Sequence, residues 1–243
     1  MRVFVYVEGQ ADRLALEALL QRYREKLREH GHGLRFVVLG SKDIFFRAAK
    51  FPAKAAANLV ERQDNHVVAL PDLYPNQPYA STANAHADLE QLSARLGSLV
   101  KEALRDVFGV RRRDVPEAMS RFYPSALKYD LEMLLLGAWE RLAEQLGQPL
   151  NPAAHWRRPV EDQDQDRPPK RIVEELFLAR THRAYRDTTH APAVLRRVEN
   201  LHEVLRLDTG QQQCPVFEGM LDWIARQTGV SPHDHTTSRE RGE

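Results

Sequence analysis

Apolar positions fall in short runs, and helical stripes fill the stretches between them. Arg2 to Val7 is a run of Val, Phe and Tyr ending at Glu8-Gly9. That pattern predicts a buried strand followed by a tight turn. Leu16, Leu19, Leu20, Tyr23 and Leu27 share one face at helical spacing, and Gly31 and Gly33 stop that helix. Leu34 to Leu39 predicts a second strand, and Ala53 to Arg62 a helix with Pro52 near its start. His66 to Leu70 predicts a third strand, ended by Pro71-Asp72-Leu73-Tyr74-Pro75. After a polar loop at 75–84, Leu89, Leu92, Leu96, Leu99 and Leu104 form the stripe of a long helix, and Arg111-Arg112-Arg113 lies in the next connection. Ser120 to Leu127 predicts a fourth strand interrupted by Pro124, and Asp130 to Leu146 predicts one helix. Strands alternating with helices predict an α/β fold, with a doubly wound, mainly parallel sheet covered on both faces. The continuous apolar strands fit a sheet buried on both sides.

The last third reads differently. Residues 149–169 hold five prolines and the acidic run Glu161 to Asp166, which predicts a solvated loop. Lys170 to Arg180, Ala193 to Leu205 and Val216 to Gln227 predict three helices. The expected organisation is an α/β core at 1–148, a Pro-rich acidic loop at 149–169, a helical extension at 170–230 packed on the core, and a disordered polar tail at 231–243.

The chain has 243 residues, 42% hydrophobic and 28% charged, with a net charge of +1. That balance is ordinary for a globular protein and gives no global signature of nucleic-acid binding. Basic excess is local: nine Lys and Arg against five Asp and Glu from Arg167 to Leu207, and seven against four from Lys101 to Lys128. Spaced arginines of this kind most often form a solvated helix face, and a phosphate-binding surface needs such an excess. The single cysteine, Cys214, excludes an internal disulfide framework and a cysteine-based zinc site. It reads as a small buried residue. No stretch approaches the roughly 18 apolar residues of a membrane span. The opening strand reaches Glu8 too early for a signal peptide, so a cytoplasmic protein is expected. His233-Asp234-His235 lies in the polar tail and is read as tail, not as a metal site.

Ligands bind outside the carboxyl ends of the strands in an open α/β sheet. Glu8 follows the first strand and Asp72 the third, and Asp130 or Glu132 follows the fourth. Acidic groups gathered at neighbouring strand ends repel one another unless a cation lies between them, and such hard oxygen ligands suit magnesium or manganese. Asp12, four residues beyond Glu8, falls in the first turn of the following helix and can face the same cleft. The competing reading of each acidic residue is a helix cap or turn former. Lys170, beside Pro168-Pro169 near a helix N-terminus, is a cation for phosphate, or else a solvent-facing lysine.

Val7-Glu8-Gly9-Gln10-Ala11-Asp12, Leu70-Pro71-Asp72-Leu73-Tyr74 and Tyr129 to Leu136 resemble, in order, motifs of a bacterial Toprim-like family catalogued as a domain of unknown function. Pro168-Pro169-Lys170-Arg171 and Cys214 to Leu221 resemble its later motifs, so the matches span nearly the whole chain. The wider Toprim group includes topoisomerases, primases, recombination mediators and the overcoming-lysogenization-defect nucleases. The resemblance implies a glutamate after the first strand and a DxD motif after the third, both for metal binding. Glu8 takes the first role and Asp72 the second. The second aspartate of DxD falls at Tyr74, a poor magnesium ligand. Asp12 matches an acidic spacing of the overcoming-lysogenization-defect nucleases, and Glu132 would close the site.

The expected function is metal-dependent phosphodiester hydrolysis of DNA or RNA. Glu8, Asp12, Asp72 and Glu132 would hold magnesium or manganese, and Lys170 would stabilise phosphate charge. By resemblance, such proteins serve in anti-phage or mobile-element conflict, sometimes beside an ATPase. The alternative is a non-catalytic module that binds a partner protein or nucleic acid. Nucleotidyl transfer would use the same metals but needs a nucleotide pocket.

Overall fold

The computed structural model describes residues 1–207 and 209–233. Four strands, β1 (Arg2–Val7), β2 (Gly33–Val38), β3 (Asn65–Leu70) and β4 (Phe122–Pro124), form one parallel sheet in the order β2-β1-β3-β4. The helices in chain order are α1 (Gln10–Leu19), α2 (Gln21–Glu29), α3 (Asp43–Phe46), α4 (Phe51–Glu61), α5 (Leu89–Asp106), α6 (Val115–Ser120) and α7 (Glu132–Gly137). After them come α8 (Trp139–Leu146), α9 (Pro152–His155), α10 (Pro169–Thr181), α11 (Asp187–Leu195), α12 (His202–Leu205) and α13 (Pro215–Thr228).

Strand periodicity sorts the core. Val3, Val5 and Val7 of β1 turn to one face with Val68 and Leu70 of β3, while Tyr6, Val67 and Ala69 turn to the other. The first face is covered by α1, α2, α7, α8 and α10 to α13, the second by α3 to α6. Every residue of β3 is buried, as a central strand between two helical layers requires. The doubly wound parallel sheet with helices on both faces is therefore present. The chain leaves β1 toward β2 on one side and returns through β3 on the other, so the gap between β1 and β3 is the topological switch point.

Several predicted elements are cut differently. The stripe from Leu16 to Leu27 belongs to two helices, because Leu20 departs from helical geometry at φ −96°, ψ 15°. The single helix expected over Asp130–Leu146 starts at Glu132 and breaks at Ala138, at φ −81°, ψ 38°. Close packing accompanies that break: a Cβ on Gly137 would lie 2.7 Å from the Val204 carbonyl oxygen. The helix expected over Ala193–Leu205 is instead α11, which begins at Asp187, followed by the separate α12. Of Ser120–Leu127 only Phe122–Pro124 is strand, since proline cannot donate to the ladder. Hydrogen bonds nevertheless carry the pairing onward, from Ser125 N–H to Ala69 O, Leu127 N–H to Pro71 O and Leu73 N–H to Leu127 O.

The acidic run also differs from expectation. Glu161 is 1% exposed, and its carboxylate accepts the Val216 N–H at 3.1 Å and the Phe217 N–H at 3.3 Å. It therefore caps α13 from a distant segment, satisfying amides that have no partner within the helix. Burial pushes its pKa up to about 7, against the pull of those two amides. Cys214, just before α13, is fully buried as expected. The expected tail lies outside the described residues from Asp234 onward, as do Asp234 and His235 of the His-Asp-His motif. Among the described residues no helix is long and apolar enough to cross a membrane.

Candidate active site

Glu8 stands one residue past β1, and Asp72 two residues past β3, at the switch point. Glu8 Oε1 accepts the Asp72 N–H at 3.0 Å, which locks the two strand ends together. Asp12 lies in the first turn of α1, where Oδ2 accepts the Gly9 N–H at 2.7 Å. One of its oxygens thus serves as a helix cap, the competing role weighed for such a residue. The bridge between Asp72 and Leu127 draws the chain after β4 alongside and delivers Asp130 and Glu132 to the same place. Asp130 Oδ2 accepts the Lys170 N–H at 3.2 Å. The first turn of α10 therefore gives one of its free amides to a carboxylate, not to solvent. The Lys170 ammonium reaches Asp187 at 3.5 Å.

These residues line one open cleft of about 240 Å³: Glu8, Asp12, Asp72, Asp130, Glu132, Lys170 and Asp187. All five predicted site residues are among them. Six carboxyl groups and one ammonium share its wall. Asp72 Oδ1, Asp130 Oδ1 and Glu132 Oε1 are buried and have no hydrogen-bond partner. Unpartnered buried carboxylate oxygens are costly, and each needs a compensating group.

The titration of these groups reflects the same crowding. Burial raises the pKa of Glu8, opposed by the Asp72 N–H and Lys42 and reinforced by Asp12. Asp72 is raised well above the ordinary aspartate range, first by burial and then by Glu8, Asp12, Asp130 and Glu132. Burial and then Asp130 raise Glu132, and burial raises Asp130 and Asp12. Burial alone would lower Lys170, but Glu132, Asp187 and Asp130 outweigh it and hold the ammonium above its usual value.

The donor set fits a hard divalent cation: carboxylate oxygens only, several unpartnered, at two strand ends and the starts of two helices. Among the described residues, no three His, Cys, Asp or Glu side chains are drawn together into a finished metal cage.

Three residues of the cleft and its rim are not among those expected from the sequence. Lys42 is 7% exposed and donates to Leu73 O at 2.7 Å and Pro75 O at 3.0 Å, so it pins the loop after β3. Burial lowers its pKa to about 8, against the pull of Glu8 and Asp72. Its place just past β2 was the available signal. Asp187 and Tyr185 arrive from the segment entering α11, which no sequence spacing links to the sheet. The Tyr185 hydroxyl is buried beside Glu132, and its pKa is raised by burial and then by that carboxylate. Tyr74, in the place of a second DxD aspartate, packs on Tyr129 with ring centroids 5.2 Å apart.

Residues 7–225 match the family described as Domain of unknown function (DUF4276). The chain belongs to the DUF4276 family. This DUF4276 protein is also similar to the C-terminal region of the Burkholderia pseudomallei OLD protein, with a TM-score of 0.46 and 13% identity over 93% of this chain and 98% of that chain. Against the C-terminal region of the Xanthomonas campestris pv. campestris OLD protein, the TM-score is 0.44 with 13% identity, over 94% of this chain and 96% of that chain. No curated protein matches the DUF4276 sequence significantly.

Proposed function

We propose that this DUF4276 protein is a metal-dependent nuclease that hydrolyses phosphodiester bonds in DNA or RNA. The supporting observation is the set of buried, unpartnered oxygens of Asp72, Asp130 and Glu132 on the cleft that Glu8 and Asp12 also line. Glu8, Asp72 and Glu132 would hold magnesium or manganese, with Asp12 and Asp130 contributing their second oxygens. A bound divalent ion supplies Lewis-acid charge and a water acidic enough to attack phosphorus. Lys170, on the rim, would bind a phosphate oxygen and offset the charge that grows there. Lys42 keeps Asp72 and Tyr74 in place through the Leu73 and Pro75 carbonyls. The nucleic-acid substrate rests on the resemblance to the Toprim group, as does a role in anti-phage or mobile-element conflict beside an ATPase. A cytoplasmic setting goes with that reading.

A second reading is a non-catalytic module that binds nucleic acid or a partner protein. Tyr74 in place of a carboxylate favours it, as does the lack of a finished cage among the described residues. Calorimetric titration with manganese separates the two. Saturable binding that is lost in Asp72→Asn, followed by manganese-dependent cleavage of DNA or RNA, is the expected result. No binding by the folded wild type would overturn the nuclease reading in favour of the module.

A further inference from the structure

A second chamber, of about 390 Å³, opens beside the carboxylate cleft. Asp72, Asp130 and Lys170 stand in the wall between them and line both. The rest of the chamber is of another character. Tyr74, Pro75, Tyr129 and Pro168 supply its apolar surface. The side-chain amides of Gln77 and Gln165 meet across it at 3.5 Å, with further donor and acceptor capacity to spare.

The tyrosines are held in place. The Tyr129 hydroxyl donates to the Gln163 carbonyl, so its polar end is used and its ring is fixed. The Tyr74 ring rests on it at 5.2 Å and 39°. Lys42 grips the carbonyls on both sides of Tyr74. Tyr74 itself remains partly exposed. The chamber therefore offers fixed aromatic and proline surface, amides at its edge, and an acidic cleft next door. Its volume falls in the range of small-molecule sites, roughly 300–1,000 Å³.

A nucleotide has the complementary layout: a flat, apolar base with a polar edge, joined to an anionic phosphate. Aromatic side chains stack on bases of any sequence, because every base has a π-face. A base within a duplex is stacked and paired and cannot enter such a chamber. We propose that the chamber takes an unpaired nucleobase from the strand whose phosphate lies at the carboxylate cleft, so that single-stranded nucleic acid is the substrate class of this site. Position 74 then supplies a stacking surface where the resemblance leads one to expect a carboxylate. This inference rests on the nuclease reading for the phosphate's position, but the chamber can be tested apart from it.

The test is fluorescence anisotropy with short labelled oligonucleotides of DNA and of RNA, carrying phosphorothioate linkages to resist cleavage, in manganese. Three forms of one sequence are compared: single strand, duplex, and single strand with abasic sites. Manganese binding without oligonucleotide is measured by calorimetry on the same preparations. The intact single strand of one of the two nucleic acids is expected to bind at least about tenfold tighter than the other two forms. Tyr74→Ala removes that preference, Tyr74→Phe retains it, and both bind manganese as the wild type does. Equal binding of intact and abasic strands overturns the proposal, as does an undiminished preference in Tyr74→Ala. Manganese binding with no strand preference overturns the chamber and leaves the metal reading standing. A preference that depends on Tyr74, in protein that binds no manganese, supports the chamber and removes the metal.

Discussion

The Glu8 carboxylate accepts the backbone N–H of Asp72 at 3.0 Å, joining the ends of two adjacent strands across the switch point. The bond gives Glu8 a structural duty as well as a place in the cleft. Removing its side chain would leave a buried amide unpartnered, so Glu8→Gln is the cleaner probe than Glu8→Ala. Glu8→Gln keeps an acceptor, removes one of six crowded negative groups, and should leave the thermal midpoint of the metal-free protein unchanged or higher. Manganese affinity should fall by at least about tenfold, the scale on which even outer-sphere partners of metals act. Parallel calorimetry and thermal melts check both halves.

Asp72, Glu8, Glu132, Asp130 and Asp12 all hold their protons more tightly folded than unfolded, chiefly through burial. The folded protein therefore retains protons that the unfolded chain has already released. Stability from these groups is present at pH values below the ordinary carboxylate range and is lost as pH rises through the elevated native values. Metal-free protein should melt at a lower temperature at about pH 8 than at about pH 5, and saturating manganese should flatten that slope. A metal-free midpoint that rises over this range would show that the carboxylates are not crowded in solution.

Lys170 pairs with Asp187 on the rim of the cleft and is nearly half exposed. Lys170→Ala should fold normally and bind manganese at least as tightly as the wild type, because it removes a positive charge from beside Glu132 and Asp130. Turnover should drop by about 100-fold, the lower end of what a lost charge-stabilising donor costs. Single-turnover cleavage assays at saturating metal measure it, and an unchanged rate would remove Lys170 from the chemistry.

Glu161 bonds two amides at the start of α13 from a loop more than fifty residues away in sequence. Glu161→Ala should destabilise the fold by about 1–3 kcal/mol, the cost of leaving buried donors unsatisfied. Manganese affinity should be unaltered. Urea unfolding at pH 8 gives the first quantity and calorimetry the second.

Gly137 lies against the carbonyl of Val204, where a Cβ would come within 2.7 Å of the oxygen. Gly137→Ala should cost about 1–3 kcal/mol by overpacking. A urea midpoint equal to that of the wild type would mean that α12 can withdraw freely from α7.

The sheet was legible because its signals are local. Apolar runs at 3–7 and 67–70, and at 34–39 apart from the exposed Arg35, mark the strands, and the residues just after a run land at a strand end without further knowledge. Glu8 and Asp72 were found in that way, and Asp12 from its place in the first turn of the helix that follows Glu8. The illegible parts depend on contacts distant in sequence. Gly137 is the one local sign of the break between α7 and α8, and the close approach that calls for a glycine there comes from Val204. Glu161 looked solvated among Asp162, Asp164 and Asp166, because the amides that hold it belong to Val216 and Phe217. Asp187 reaches the cleft only through the packing of α11 on α1 and α7, and no spacing rule encodes that.

Glu161, Gln163 and Gln165 are alternate residues of one short segment with three separate attachments. Glu161 holds α13, the Gln163 carbonyl takes the Tyr129 hydroxyl, and the Gln165 amide meets Gln77 over the chamber. A segment fastened at every second residue has a fixed length. Substitutions at the exposed Asp162, Asp164 and Asp166 leave all three attachments intact. Inserting or deleting a single residue between 161 and 165 would throw at least one of them out of step. In natural variants of this chain, this stretch should drift in composition while its length stays constant.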